Sequence, residues 1–232
     1  SWPSAGVPAS ASGSGRSLWR IGPPQSHLVV ENADLVLAEL PYFLGDWPIQ
    51  WAGDDAVAVA DIGIGQEAGG FVVAGPGSVV ETFPDTFAAA NGLAGALVAG
   101  LIGRDAGLIC AHAGAAEVAG RLVAVLGTSF AGKSSIAIHL AAAGHRLFGD
   151  DRLAIRPADG RGMCLGLMPK VRLPVPDDAG PRFEEFVAAY TELEGDEVAY
   201  LKPLASEAAR FGDEAPLAAL VLLDRSPEAD VT

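Results

Sequence analysis

Short apolar runs separated by glycine, proline and aspartate clusters fill residues 28–83. Runs of this length between turn-forming residues predict β-strands. The glycines of Gly63-Ile64-Gly65 and Gly75-Pro76-Gly77 predict turns between them. The predicted strands include Leu28–Val30, Ala56–Ala60 and Phe71–Val73.

A stretch rich in alanine and leucine follows and predicts a buried helix over residues 84–103. Asp85 is its predicted N-cap, because an aspartate oxygen accepts a free N–H of the first turn. The apolar part, Phe87–Ile102, is interrupted by Asn91 and is shorter than the run of about 18 apolar residues that a membrane span needs. A core helix is therefore expected here.

The second half alternates strand and helix patterns. A β-hairpin is predicted from Leu108–Ala113 and Arg121–Leu126, with a turn at Ala119-Gly120 and His112 inside its first strand. The next apolar pattern predicts a helix that ends at Gly144. Further expected elements are strands near 146–149, 152–156 and 217–223, an extended segment over 168–174 and a helix over 183–193.

Three parts of the chain differ in composition. Residues 1–26 begin with a stretch rich in serine, glycine and proline, which predicts a disordered tail without a secretory signal. Residues 27–103 predict a smaller β-rich portion that ends in the helix, and residues 104–232 an α/β core with a mixed sheet and flanking helices. The predicted fold class is therefore α/β.

Acidic residues outnumber basic ones by 29 to 15, which gives a formal net charge of −14. Nucleic acids and anionic membranes attract clustered Lys and Arg, so neither is an expected partner. Cys110 and Cys164 lie in apolar sequence surroundings and are predicted to be buried free thiols. This fits the reducing cytoplasm, the predicted location.

The strongest chemical signal is the run Gly127-Thr128-Ser129-Phe130-Ala131-Gly132-Lys133-Ser134, which Ser135 follows. It fits G-x-x-x-x-G-K-[ST], in which backbone N–H groups surround phosphates, the lysine contacts the β- and γ-phosphates and the hydroxyl binds Mg²⁺. An apolar strand pattern precedes the loop and a helix pattern follows it, as phosphate binding at a helix N-terminus requires. The alternative is an ordinary glycine-rich turn.

Two adjacent carboxylates, Asp150 and Asp151, follow the strand predicted near 146–149. Carboxylate oxygens suit Mg²⁺, and together with the Ser134 hydroxyl they form the predicted metal site. One of the two could instead accept a proton from an attacking hydroxyl. A solvated Asp-Asp turn remains the alternative.

Residues from Leu108 to Ile155 resemble the catalytic domain of the HPr kinase/phosphorylase family, and most of all its HPr-kinase-related serine kinases. The match comprises His112, the loop Gly127–Ser134, the segment Gly144–Asp151 and the intervals between them. The resemblance implies a P-loop core of the HPr kinase/phosphoenolpyruvate carboxykinase type.

The resemblance also implies roles for five residues. Lys133 and Ser134 would hold phosphates and Mg²⁺, and Asp150 would be the catalytic carboxylate that activates the acceptor hydroxyl. Asp151 would support Asp150 or the metal, and His112 would lie near the transferring phosphate and position Asp150.

One segment departs from the family pattern. Where HPr kinase has Glu-Ile-Arg-Gly-Leu-Gly, this chain has Arg161–Gly166 without the glutamate. Recognition of HPr and the reverse phosphorylase activity are therefore not implied. Downstream, Lys170 or Arg172 could approach a triphosphate, because charge on the γ-phosphate calls for a cation. The alternative is that both are solvated basic residues.

The leading functional hypothesis is a Mg²⁺- and ATP-dependent kinase that phosphorylates a hydroxyl, with serine of a peptide or protein as the favoured acceptor. A small-molecule kinase on the same scaffold and a non-catalytic nucleotide sensor are the alternatives. The choice of ATP over GTP or pyrophosphate and the presence of a homo-oligomer are left open by the sequence.

Overall fold

A computed structural model gives the structure of residues 16–53, 58–76 and 79–224. Within these ranges the chain forms a mixed α/β fold, which agrees with the predicted class at that level. The strands there form three sheets of six, seven and three strands, and three α-helices accompany them.

Contacts divide the chain into two units. The first comprises the described residues up to 40 together with 48–101, and the second comprises 41–47 and the described residues from 102 onward. Trp47 fixes the short segment to the second unit, because its indole N–H donates to the Leu165 carbonyl oxygen at 2.8 Å and its ring packs on Phe211. Residues 41–47 lie within the predicted N-terminal portion, 27–103, but contact the second unit.

The first unit is built on a six-stranded sheet, in which only the third and fourth strands of the spatial order run parallel. Alternate side chains of its inner strands are buried, the pattern of a half-buried sheet. The spatial order is β3-β1-β2-β4-β5-β6, with β1 Leu18–Ile21, β2 Leu28–Glu31, β3 Ile49–Gly53, β4 Ile62–Glu67, β5 Gly70–Ala74 and β6 Val80–Phe83.

Helix α1, Thr86–Arg104, packs against this sheet through glycines as well as leucines. A Cβ at Gly92 would lie 2.2 Å from the ring of Phe83, and one at Gly100 would lie 2.4 Å from the Leu28 side chain. The helix glycines therefore let sheet side chains approach the helix backbone closely.

Two expectations for α1 can be compared with the structure. The predicted helix is confirmed, and Asp85 caps it by accepting the Ala88 N–H at 2.8 Å. Among the residues that the structure covers, α1 is the one helix whose length and composition would suit a membrane span, a test that core helices also pass. Leu93 and Leu97 of α1 are fully buried within the protein.

Several local predictions for the first unit are wrong. Residues 18–21 are a strand with buried side chains rather than part of a tail, while residues 1–15 lie outside the described residues. The segment 63–65 lies inside β4, where it pairs with β5 instead of turning. The strand predicted at 56–60 falls partly outside the described residues, and 58–60 is not a strand.

The second unit has a seven-stranded sheet and a three-stranded sheet. The larger has the order β10-β8-β9-β16-β12-β11-β7, and the smaller has the order β13-β15-β14. The strands are β7 Ile109–Ala111, β8 Gly114–Val118, β9 Arg121–Gly127, β10 Arg146–Gly149, β11 Leu153–Arg156, β12 Arg161–Cys164, β13 Lys170–Arg172, β14 Thr191–Glu194, β15 Val198–Leu201 and β16 Glu214–Leu223. The helices are α2 Lys133–Ala142 and α3 Pro181–Tyr190.

Apolar side chains hold α2 between the two sheets of this unit. One cluster joins α2 to α3, β10, β13 and β15, and a second fills the space among β8, β9, β11 and β12. Cys164 belongs to the second cluster, and burial raises its pKa to about 12. Both cysteines are free, as predicted, but Cys110 is exposed rather than buried.

The predicted hairpin exists, but its first strand is shifted. β8 and β9 pair on either side of Ala119-Gly120, and both turn residues have positive φ, as a tight hairpin turn requires. The predicted first arm, 108–113, contributes β7 instead, which pairs with β11 at the sheet edge. His112 therefore lies in the link between β7 and β8 and not in a strand.

A charged cluster of Arg156, Arg161 and Glu214 joins three neighbouring strands of the large sheet. The Glu214 carboxylate accepts hydrogen bonds from Arg156 at 2.7 Å and from Arg161 at 3.2 Å. The Arg156 hydrogen bond is the main cause that lowers the pKa of Glu214 below its usual value. A carboxylate with a lowered folded-state pKa stabilises the protein above its unfolded-state pKa, and this stabilisation disappears as the pH falls through the folded-state value.

Replacing Glu214 with glutamine should lower the free energy of unfolding by about 1 kcal/mol at pH 7, since partly exposed pairs are worth little more. The difference from wild type should shrink as the pH falls below about 4.5. Urea unfolding at several pH values measures it. Glu192→Gln removes the exposed pair with Lys202 and should change the free energy of unfolding little. An equal loss of stability in both variants at every pH would contradict the stabilising role of the charged cluster.

Candidate functional site

A glycine loop connects the end of β9 to the start of α2, in the predicted order of strand, loop and helix. Gly127 has φ of 154°, and a Cβ there would lie 2.9 Å from the Leu223 carbonyl oxygen. Gly132, the N-cap of α2, has φ of 102°. Both positions therefore need glycine for backbone reasons, and the helix N-terminus that they expose is favourable for an anion.

Lys133 begins α2, but its side chain turns back into the loop. Its ammonium donates to the carbonyl oxygens of Gly127 at 3.0 Å and Thr128 at 2.8 Å, and the residue is only 6% exposed. These two carbonyls satisfy a buried positive charge. The lysine is thus held at the inner edge of the loop.

Asp150 lies directly after β10 and is 2% exposed. One carboxylate oxygen, Oδ2, accepts a hydrogen bond from the backbone N–H of Lys170 at 2.9 Å. The other, Oδ1, has no hydrogen-bond partner among the described residues. Burial raises the pKa of Asp150, and the nearby Ser134 hydroxyl and Lys170 backbone N–H only partly offset this effect. A buried carboxylate with one free oxygen is costly to the fold and open to a proton or a cation.

The loop helix and Asp150 are in contact. The Ser134 hydroxyl, in the first turn of α2, lies 3.5 Å from the Asp150 carbonyl oxygen. Gly114 of β8 makes this packing tight, because a Cβ at Gly114 would lie 2.6 Å from the Lys133 carbonyl oxygen. The structure thus brings Lys133, Ser134 and Asp150 together at one end of α2.

His112 and Asp151 form a separate, more exposed pair. His112 Nε2 lies 3.2 Å from Asp151 Oδ1, and Arg152 Nε lies 3.8 Å from Asp151 Oδ2. The family resemblance implied that His112 positions Asp150, but the structure pairs it with Asp151 instead. No group of three or more His, Cys, Asp or Glu side chains suited to a metal occurs in the described part of the chain.

β13 borders the loop on another side. Val171 is buried in the cluster that contains α2, while the guanidinium carbon of Arg172 lies 3.8 Å from the centre of the Phe130 ring. Phe130 itself is 75% exposed and has a left-handed φ of 68°. Sequence analysis named Arg172 as a candidate cation but gave no signal for its contact with this ring, which depends on the fold of β13.

Comparison with known proteins adds little to this geometry. No protein family model matches the chain, and no curated protein matches it. Among solved structures, the HPr(Ser) kinase/phosphatase from Coxiella burnetii aligns with 53% of this chain and 70% of its own, at 15% sequence identity and a TM-score of 0.33. A likeness this weak supports no conclusion about fold or activity.

Proposed function

We propose that the second unit is a Mg²⁺-dependent phosphotransferase that transfers the γ-phosphate of ATP to a hydroxyl group. The observation that carries this proposal is the contact between Ser134 of the glycine-loop helix and the backbone carbonyl of Asp150, a residue whose buried carboxylate has a free oxygen. Phosphoryl transfer needs two parts side by side, an anion site for the phosphate donor and a base for the acceptor hydroxyl.

The anion site is the loop between Gly127 and Ser134. N–H groups at the start of α2 and the Lys133 ammonium favour a polyphosphate there. Since Lys133 now donates to two neutral loop carbonyls, phosphate binding would exchange these contacts for hydrogen bonds to an acceptor that is itself negatively charged. The loop is therefore suited to a charged ligand rather than a neutral one.

The residues present also fit a magnesium ion. The Ser134 hydroxyl and Asp150 Oδ1 are hard oxygen donors, and Asp150 Oδ1 has no other partner among the described residues. Mg²⁺ is commonly held by one or two protein oxygens together with substrate phosphates. Bound there, it would neutralise charge on the transferred phosphoryl group. Asp151 is paired with His112 and is a weaker candidate ligand.

In the proposed chemical step, Asp150 accepts the proton of the acceptor hydroxyl. The acceptor oxygen forms a bond to the γ-phosphorus, the bond from that phosphorus to the β–γ bridging oxygen breaks, and Asp150 takes the hydroxyl proton. In the absence of a bound cation, burial raises the pKa of Asp150, which makes the carboxylate a better proton acceptor than an ordinary aspartate. A purely nucleotide-sensing protein would need no acceptor for a hydroxyl proton.

The acceptor is proposed to be a serine of a peptide or protein, as the family resemblance implies. The proposed location is the cytoplasm, which the two free cysteines fit. A small molecule with a hydroxyl remains the second candidate. Incubation with γ-labelled ATP, Mg²⁺ and each class of acceptor, followed by mass spectrometry, distinguishes them.

Nucleotide binding tests the donor half of the proposal. Isothermal titration calorimetry of Mg-ATP should show binding to wild type, and Lys133→Ala should weaken it about tenfold or more, since a charge-assisted contact to phosphate is lost. Lys202→Ala, which removes an exposed lysine paired with Glu192, is the matched control and should bind normally. Absence of binding by wild type to Mg-ATP, Mg-GTP and pyrophosphate alike would refute the proposal.

A further inference from the structure

Phe130 adopts a conformation with two costs. The residue is 75% exposed, although large aromatic residues are mostly buried, and its φ of 68° is unfavourable for a bulky residue. Strained residues of this kind concentrate at ligand-binding segments. The contact that the ring does make is with the Arg172 guanidinium, 3.8 Å from its centre.

β13 fixes Arg172 in relation to the rest of the site. The Lys170 N–H donates to Asp150, and Val171 is buried in the cluster that includes α2. Side chains alternate along a strand, so Lys170 and Arg172 share the face opposite Val171. The Lys170 charge acts on Asp150, whereas Arg172 reaches the glycine loop. β13 therefore places Lys170 beside Asp150 and Arg172 beside the glycine loop.

Arg172 is an unpaired cation in a strongly acidic protein. The formal net charge is −14, yet Arg172 forms no ion pair with a carboxylate in the described ranges. A guanidinium that stacks by its face keeps its N–H donors directed outward in its plane, where they can bind two oxygens of one phosphate. The contact with the Phe130 ring thus holds the guanidinium beside the glycine loop without using its N–H donors.

We propose that Arg172, held on the Phe130 ring, binds the terminal phosphate of the nucleotide and so selects a triphosphate over a diphosphate. This inference rests on the proposed function and deepens it. Phe130 is then a positioning residue, which acts through the guanidinium. An arginine is required because a lysine ammonium cannot stack flat and bind two oxygens at once.

Binding of the Mg²⁺ complexes of AMP-PNP, a non-hydrolysable ATP analogue, and of ADP tests this by calorimetry. Arg172→Ala should weaken AMP-PNP binding by about 10- to 100-fold, the range of a lost charge-assisted contact, and ADP binding by less than about threefold. Arg172→Lys should recover only part of the loss. Phe130→Leu, which removes the aromatic ring, should reduce the selectivity for AMP-PNP over ADP. Phe130→Tyr, which keeps an aromatic ring, should retain the wild-type selectivity. Arg182→Ala, at an exposed arginine of α3, is the control.

The outcomes separate this inference from the proposed function. If wild type binds both nucleotides and Arg172→Ala keeps the same preference for AMP-PNP, or weakens both equally, the role of Arg172 is wrong while the function stands. If wild type binds neither, both fail. Thermal unfolding of each variant checks that the loss is not one of folding.

Discussion

Asp150→Asn should lower phosphoryl transfer by about 100-fold or more, the scale of a lost general base, while Mg-nucleotide binding falls far less. Asparagine keeps the shape and the acceptor for the Lys170 N–H, but it cannot take a proton. Single-turnover transfer and calorimetric binding on the same preparation measure the two effects. Asp151→Asn should have a smaller effect, because Asp151 is paired with His112 outside the loop contact.

The same variant gives its own control for folding. Because burial raises the pKa of Asp150, ionisation destabilises the folded state as the pH rises from the unfolded-state pKa towards the higher folded-state value. Asp150→Asn should therefore be at least as stable as wild type at pH 7 without ligand, and its advantage should disappear in acid. Asp178→Asn, at an exposed aspartate, should transfer phosphate normally. Wild-type transfer by Asp150→Asn would exclude the assigned base.

Gly114→Ala is expected to lower both protein stability and Mg-nucleotide binding, although Gly114 is not itself a proposed ligand-binding residue. The added methyl would lie 2.6 Å from the Lys133 carbonyl oxygen and 3.1 Å from the Ala137 side chain, so α2 has to shift. Overpacking of this kind costs about 1–3 kcal/mol, and displacement of the α2 N-terminus should weaken Mg-nucleotide binding about tenfold or more. Denaturant unfolding and calorimetry report the two effects.

Gly63→Ala is the matched control for that substitution. Gly63 also lies in a strand, but a Cβ there meets nothing within 4 Å. It should leave nucleotide binding unchanged. Should Gly114→Ala bind nucleotide as well as Gly63→Ala does, the close contact between β8 and α2 has no part in the site.

The features that the sequence predicts well are local. Glycines at 127 and 132, an apolar strand before them and a helix pattern after them predict the strand, loop and helix, because backbone conformation there depends on neighbouring residues. The helix over 84–103 is predicted for the same reason, and Asp85 caps it. The chemistry of the loop, by contrast, stays a prediction that nucleotide binding has to test.

The features that sequence analysis missed depend on tertiary contacts. Leu108–Ala113 has a better strand composition than Gly114–Val118, yet the latter pairs with β9 across the tight turn at Ala119-Gly120, and Gly114 lets this strand pack closely on α2. His112 consequently lies outside the hairpin, beside Asp151, and not in the strand predicted for it. Glycines in β4 resemble turn residues, but pairing with β5 makes them part of the sheet. Such partners are not encoded in any short window of sequence.

The parallel pairing of β9 with β16 has a consequence for the order of folding. β9 leads into the glycine loop, and its neighbour β16 is made only after residues 128–213 have been translated. Contacts between segments so distant in the chain form slowly, because a long loop must close first. During synthesis, a nascent chain that has emerged only as far as residue 213 lacks the strand that borders Gly127, so the glycine loop can reach its final packing only after β16 has emerged from the ribosome.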